Sequence, residues 1–145
     1  MTTKLSTGLA SELANSKSAS LGGGFIDIYA GPVPPSADAS IGSATLLCRL
    51  TLNGDNSTGL DLSTEGRFLR KPPGAVWSGT GVAAGVATFY RHVKPGDDGT
   101  ASTTAIREQG VIGLTPPADM VLMSVTFDVG TPFPLDRYLM EQPLE

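Results

Sequence analysis

Cysteine is nearly absent from this chain: Cys48 is the only one in 145 residues. No intrachain disulfide can form, so the disulfide-stapled secreted scaffolds are excluded. Histidine is equally scarce, with His92 alone, and one His plus one Cys cannot make a His/Cys zinc site. A Cys48–His92 nucleophile pair is formally available. Cys48, however, lies on the apolar face of a strand pattern, where a thiol acts as a small hydrophobe. His92 sits near a strand end and is expected half exposed. Charged residues make up only 17% and aromatics 6% of the chain. With a net charge of −4 there is no basic face to displace counterions from nucleic acid. Arg67, Arg70 and Lys71 are the nearest approach to one, and they sit beside Glu65 in what reads as a solvated loop. No apolar run approaches the ~18 residues of a membrane span. Residues 1–20 hold no apolar stretch of signal-peptide length, so folding in a cytoplasm is expected.

What is abundant is turn chemistry: 18 glycines and 11 prolines. They punctuate short runs of alternating polarity, the mark of strands with one face on a core. Phe25–Tyr29 is the first such run. Gly31-Pro32-Val33-Pro34-Pro35 breaks it, and Thr45–Leu52 resumes, with Leu46, Cys48, Leu50 and Leu52 expected on the core face and Leu47, Arg49 and Thr51 on the other. Asn53-Gly54 is a hairpin-type turn signal. Further strands are expected around Leu60–Leu62, over Ala75–Ser78 with Trp77, over Val86–Val93 and over Arg107–Ile112. The longest is Met120–Val129, with Val121, Met123, Val125, Phe127 and Val129 as its apolar stripe. The fold expected is all-β: a single β-sandwich or jelly roll over residues 25–130, without a helix–strand alternation that would build an α/β sheet.

Both ends look like appendages. Residues 1–24 form an N-terminal arm and linker. Leu5, Leu9 and Leu13 share a helical face behind an Ser6 N-cap, and Ser16–Gly24 is a flexible Ser/Gly linker. The arm is expected to pack largely outside the body. Residues 131–145 form an extended C-terminal tail. Pro132 and Pro134 remove backbone donors, so the tail is not expected to continue an inner strand. Phe133, Leu135, Tyr138, Leu139 and Met140 are nevertheless too apolar to leave in water; a cap on the domain's own open end and an arm on a neighbouring subunit fit them equally, and the arm is the expectation carried forward.

No catalytic, cofactor-binding or metal-binding set emerges. Gly79-Thr80-Gly81-Val82-Ala83-Ala84 matches a loose dinucleotide fingerprint, but a β-rich run follows where a helix should open. Asp55–Glu65 lacks the glycine placement of a calcium loop. Asp55, Asp61, Asp97, Asp98 and Asp119 read as solvated turn residues. Two readings from other classes stay open: a carbohydrate-binding module with Trp77 and Tyr90 as its platform, and an enzyme that pairs turn carboxylates.

Several stretches resemble a family of small tailed-bacteriophage virion proteins. They are Lys4–Leu9, Ile26–Pro32 running into Pro35–Ala39, Ala44–Leu47, Lys71–Trp77, Gly81–Gly85 and Asp97–Thr104. The resemblance spans about residues 4–129, and the chain departs from it at Thr131. It implies a non-enzymatic structural component of a phage particle. The first expectation is a capsid decoration (cement) protein on the outer surface of the head, made in the host cytoplasm. A neck or tail component is the second. The implied partners are the major capsid protein and copies of the chain itself, with a trimer expected. Leu5, Leu9, Leu13, Phe133, Leu135, Tyr138, Leu139 and Met140 are the expected partner-binding residues; no cofactor, nucleic acid or membrane is expected.

Overall fold

In the computed structural model, which describes residues 2–144, the chain is built mostly of strands with one α-helix among the described residues. The helix, α1 (Thr7–Leu21), starts where Ser6 Oγ accepts the Leu9 amide at 3.1 Å, satisfying one of the orphan donors of the first turn. It continues through Ser16–Leu21, the stretch expected as linker. Serine is only mildly unfavourable in a helix, and Ala10, Ala14 and Leu21 offer a face that can be buried. That face packs on β3 (Ser63–Glu65) and β4 (Phe68–Arg70). The arm therefore lies on its own body, and the side it buries is not the Leu5/Leu9/Leu13 side.

The main sheet has seven strands. Its centre is β1 (Phe25–Ala30), flanked by β2 (Thr45–Leu52) and by β7 (Phe89–Val93), all antiparallel. Beyond β2 come β5 (Trp77–Thr80) and β11 (Pro132–Leu135); beyond β7 come β8 (Arg107–Gly113) and β9 (Met120–Val121). The sheet curls, and two smaller sheets complete the body: β6 (Gly85–Val86) with β10 (Thr126–Phe127), and β3–β4 with β12 (Leu139–Glu141). One core face carries Ile26, Ile28, Leu50, Trp77 and Tyr90; Ile112, Met120 and Phe127 join it.

Three sequence expectations are corrected by the pairing. In β2 the register slips opposite Ile28 and Tyr29, so Leu47 and Cys48 both lie fully buried where simple alternation put Leu47 on the outer face. Val86–Val93 is not one strand: it changes sheets at Ala87 and Thr88, whose amides bond Val125 O (2.7 Å) and Tyr29 O (2.9 Å). Met120–Val129 is not the longest strand but two short ones. Met120, Leu122 and Phe127 are buried, whereas Val121, Met123 and Val129 are exposed, Met123 completely. The polypeptide bends after Leu122, so a single alternation does not survive across it.

The tail is also resolved differently. Pro132 and Pro134 sit in β11, paired with β5. The strand is at the sheet's edge, where a missing N–H breaks no second ladder.

Candidate functional site

The two chain ends meet. The Leu5 amide donates to Leu144 O at 2.6 Å, Asn15 Oδ1 accepts the Thr64 hydroxyl at 2.8 Å, and the Gln142 amide donates to Arg67 O at 2.8 Å. α1, the β3–β4 hairpin and β12 thus come together, and they hold four of the eight residues expected to bind partners, Leu9, Leu13, Leu139 and Met140. A groove of about 480 Å³ runs between Thr7, Phe68, Arg70 and Leu139.

The expected set does not survive as an arm. Leu135 and Tyr138 are buried in the chain's own core. The Tyr138 ring tilts against Trp77 at 5.3 Å and meets His92 edge-on at 6.5 Å, and its hydroxyl donates to Met140 Sδ at 2.8 Å. Phe133 is half-buried with its ring 4.8 Å from that of Phe127. These side chains found their apolar surroundings within the same chain, so they are not free to anchor a neighbour. Leu5 and Met140 are half-buried; Leu9, Leu13 and Leu139 remain 49%, 40% and 49% exposed.

The opposite face of the main sheet carries a polar row that sequence reasoning missed. Arg49, Asp27, Arg91 and Gln109 stand side by side on β2, β1, β7 and β8. Arg49 grips Asp27 with two 2.7 Å bonds and lies over the Phe25 ring. That hydrogen bond to Asp27 raises the Arg49 pKa further above its ordinary value. Arg91 has no carboxylate. Its Nε donates to Gln109 Oε1 (2.9 Å), its Nη2 donates to Ser36 O (3.2 Å) and Ala39 O (2.6 Å), and its buried Nη1 has no partner. Burial, then the Arg107 charge, lower its pKa. Arg107 is bidentate to Asp97 (2.6 and 2.7 Å) and reaches Ala37 O and Thr100 O, while Gln109 Nε2 reaches Pro34 O. Four carbonyls of the loop 31–44 are therefore held by three side chains of β7 and β8. The row is invisible in sequence because neighbours in it are 18 to 64 positions apart and only the register aligns them.

The carboxylates expected in solvent are mostly employed. Asp97 is buried with Arg107, whose hydrogen bond depresses its pKa. Asp61 Oδ1 accepts Trp77 Nε1 at 3.0 Å, and Asp119 Oδ2 accepts the Val111 amide at 2.9 Å. Asp55 is in solvent, but it accepts the Ser57 and Thr58 amides and the Thr58 hydroxyl, and the Thr58 hydroxyl bond leads in lowering its pKa to about 2. The basic loop is paired as well: Arg67 with Glu141, Arg70 with Glu65, and Lys71 Nζ on Ala75 O.

Trp77 and Tyr90 are 1% and 3% exposed, which removes the sugar platform. Cys48 is fully buried and its thiol is pushed up to about 11 by burial. His92 is fully buried, not half exposed, and neither ring nitrogen has a well-formed hydrogen bond. Burial pushes it down to about 4, the Leu21 carbonyl opposing this only in part. Among the described residues no three His, Cys, Asp or Glu side chains are grouped to hold a metal, and no helix is long and apolar enough to cross a membrane. Gly79–Ala84 runs from β5 into a turn before β6, so no helix N-terminus faces those glycines. Comparison with protein-family models, curated proteins and solved structures finds no match.

Proposed function

We propose that this protein is a non-enzymatic structural component of a tailed-phage particle, a capsid decoration (cement) protein that bridges major capsid subunits on the outer surface of the head. The observation that carries the reading is how the side chains are used. The buried ionisable groups tie loops to the sheet, while Leu9 and Leu13, one turn apart on α1, stay in solvent. Exposed apolar side chains on one face favour contact with another protein. The resemblance over residues 4–129 supplies the class of that protein, and the acidic balance suits an outer surface better than one facing packaged phosphate. We read the curled sheet and its two smaller companions as a jelly-roll-type sandwich. The capsid contact is assigned to the exposed side of α1 rather than to a swinging tail.

Quantitative mass spectrometry of purified particles tests the proposal. Hundreds of copies per particle are expected. Only about six or twelve copies, the numbers of ring symmetry, would move the protein to the neck or tail. Absence from particles would overturn the virion reading altogether.

A further inference from the structure

Among the described residues β12 pairs with one strand, β4, and no strand pairs with its other edge, which borders clefts shared with Glu108, Asp119 and Val121. The direction of its backbone groups is set by the ladder. Lys71 N donates to Tyr138 O at 3.0 Å and Gln142 N donates to Arg67 O at 2.8 Å, with Met140 opposite Leu69 between them. Even-numbered residues therefore turn their N–H and C=O toward β4, and Arg137, Leu139 and Glu141 turn theirs outward. The same three residues are exposed, whereas Tyr138 is buried and Met140 half-buried. An unpaired edge that begins with an exposed leucine is a template for another strand.

We infer that the occupant is the β12 of a second copy, paired antiparallel about a twofold axis at Leu139. Outward-pointing groups restrict the register to pairs of odd-numbered residues, and only one such register matches side chains. Centred on Leu139, it sets Leu139 opposite the partner's Leu139 and Arg137 opposite the partner's Glu141, twice by symmetry. Sliding by two residues one way puts Leu139 opposite Glu141 and Arg137 opposite Pro143; sliding the other way puts Arg137 opposite Leu139. Arg67 already holds Oε1 of Glu141, but that side chain is half exposed and its second oxygen is free to accept Arg137 of the other copy. A trimer held by tails crossing to neighbours has no such basis, because the tail is folded into its own subunit. The pairing does not rest on the virion reading, and copy number in particles tests that separately.

Light scattering on the full chain across a concentration series should show the molar mass rising toward twice 14.9 kDa. Leu139→Lys, which sets two ammonium groups across the axis, and Arg137→Glu, which faces Glu141 of the other copy, should each weaken association at least ~10-fold with an unchanged circular dichroism spectrum. In a Leu139→Cys variant the two thiols would stand on Cα atoms ~5.5 Å apart. A short bis-thiol reagent should then cross-link it far faster than a Val76→Cys control, whose position is just as exposed. A mass that stays at one chain to the solubility limit overturns the inference, as does a trimeric mass. Cross-linking of Leu139→Cys no better than the control overturns it even if the lysine variant fails to fold. Cross-linking of position 139 to a different protein in particles, with none between copies, overturns it in favour of a foreign strand on the same edge.

Discussion

Tyr138→Ala separates a tail that completes the core from a tail that serves as an arm. The side chain is 7% exposed, with its ring against Trp77 and His92 and its hydroxyl on Met140 Sδ. Truncating a buried aromatic side chain to alanine costs roughly 3–5 kcal/mol through lost transfer energy and the cavity left behind. The Trp77 contact accounts for about 0.5–1.5 kcal/mol of aromatic pairing within that cost. Against a total stability of roughly 5–15 kcal/mol, this is a large fraction. At ~2–4 °C per kcal/mol for a chain of this size, the melting temperature should fall by roughly 6–20 °C. Trp77, the sole tryptophan, reports the transition by fluorescence in urea, and its environment changes directly when the neighbouring ring is removed. Leu139→Ala, one residue away but half exposed, should cost less than about 1 kcal/mol. Deleting residues 131–144 should leave the chain unfolded, because it removes β11, β12 and two core side chains together. If Tyr138→Ala is as stable as the parent, or the truncated chain melts cooperatively near the parent temperature, the tail is an arm and the core assignment is wrong.

Three further perturbations probe the buried polar groups and the close packing. His92 should make stability fall in acid. Its folded-state pKa, about 4, lies below the ordinary 6.5, so the unfolded chain binds the extra proton. The contribution, about 3 kcal/mol, is complete above pH ~6.5 and lost as pH falls toward 4. Urea titrations between those values should show a shallower pH dependence for His92→Leu; parallel curves would refute it. Asp97→Asn should cost roughly 3–5 kcal/mol, since it leaves the buried Arg107 without its counter-charge. It should also open loop 31–44 to limited proteolysis, and an unchanged cleavage pattern would show that Arg107 does not hold the loop. Gly110→Ala should destabilise by roughly 1–3 kcal/mol in thermal melts, because a Cβ there would stand 2.6 Å from the Tyr90 ring; a neutral result would mean that the ring moves aside at no cost.

How far the sequence could be read depended on the range of the interaction involved. The Ser6 cap was legible because it is a contact between residues three apart, and the predominance of strands was legible from glycine, proline and short alternations. The burial of Phe127 and Cys48 followed from the same local signal. Alternation failed at Leu47, where the slip in register turned an outer position inward, and at Val121 and Met123, where a bend after Leu122 reversed which neighbours face water. Both failures come from events in the partner strand or the path of the chain, which a period-2 pattern does not contain.

The sequence by itself determined that the chain is β-rich, acidic and without an intrachain disulfide, because composition, turn residues and cysteine count act locally or by number. It also determined that Phe133, Leu135 and Tyr138 must leave water, since their apolar surface requires it. Where they would go was decided only by the tertiary structure. An apolar side chain is indifferent to whether its shelter lies on its own subunit or on a neighbour. Here β5 and β4 each offered an open edge within the same chain, so the tail closed on its own body. The same long-range pairing brought Arg49, Asp27, Arg91 and Gln109 into one row and left the outer edge of β12 unpaired. Charges and edges of that kind acquire their neighbours from strand order and register, and those are properties of the whole sheet.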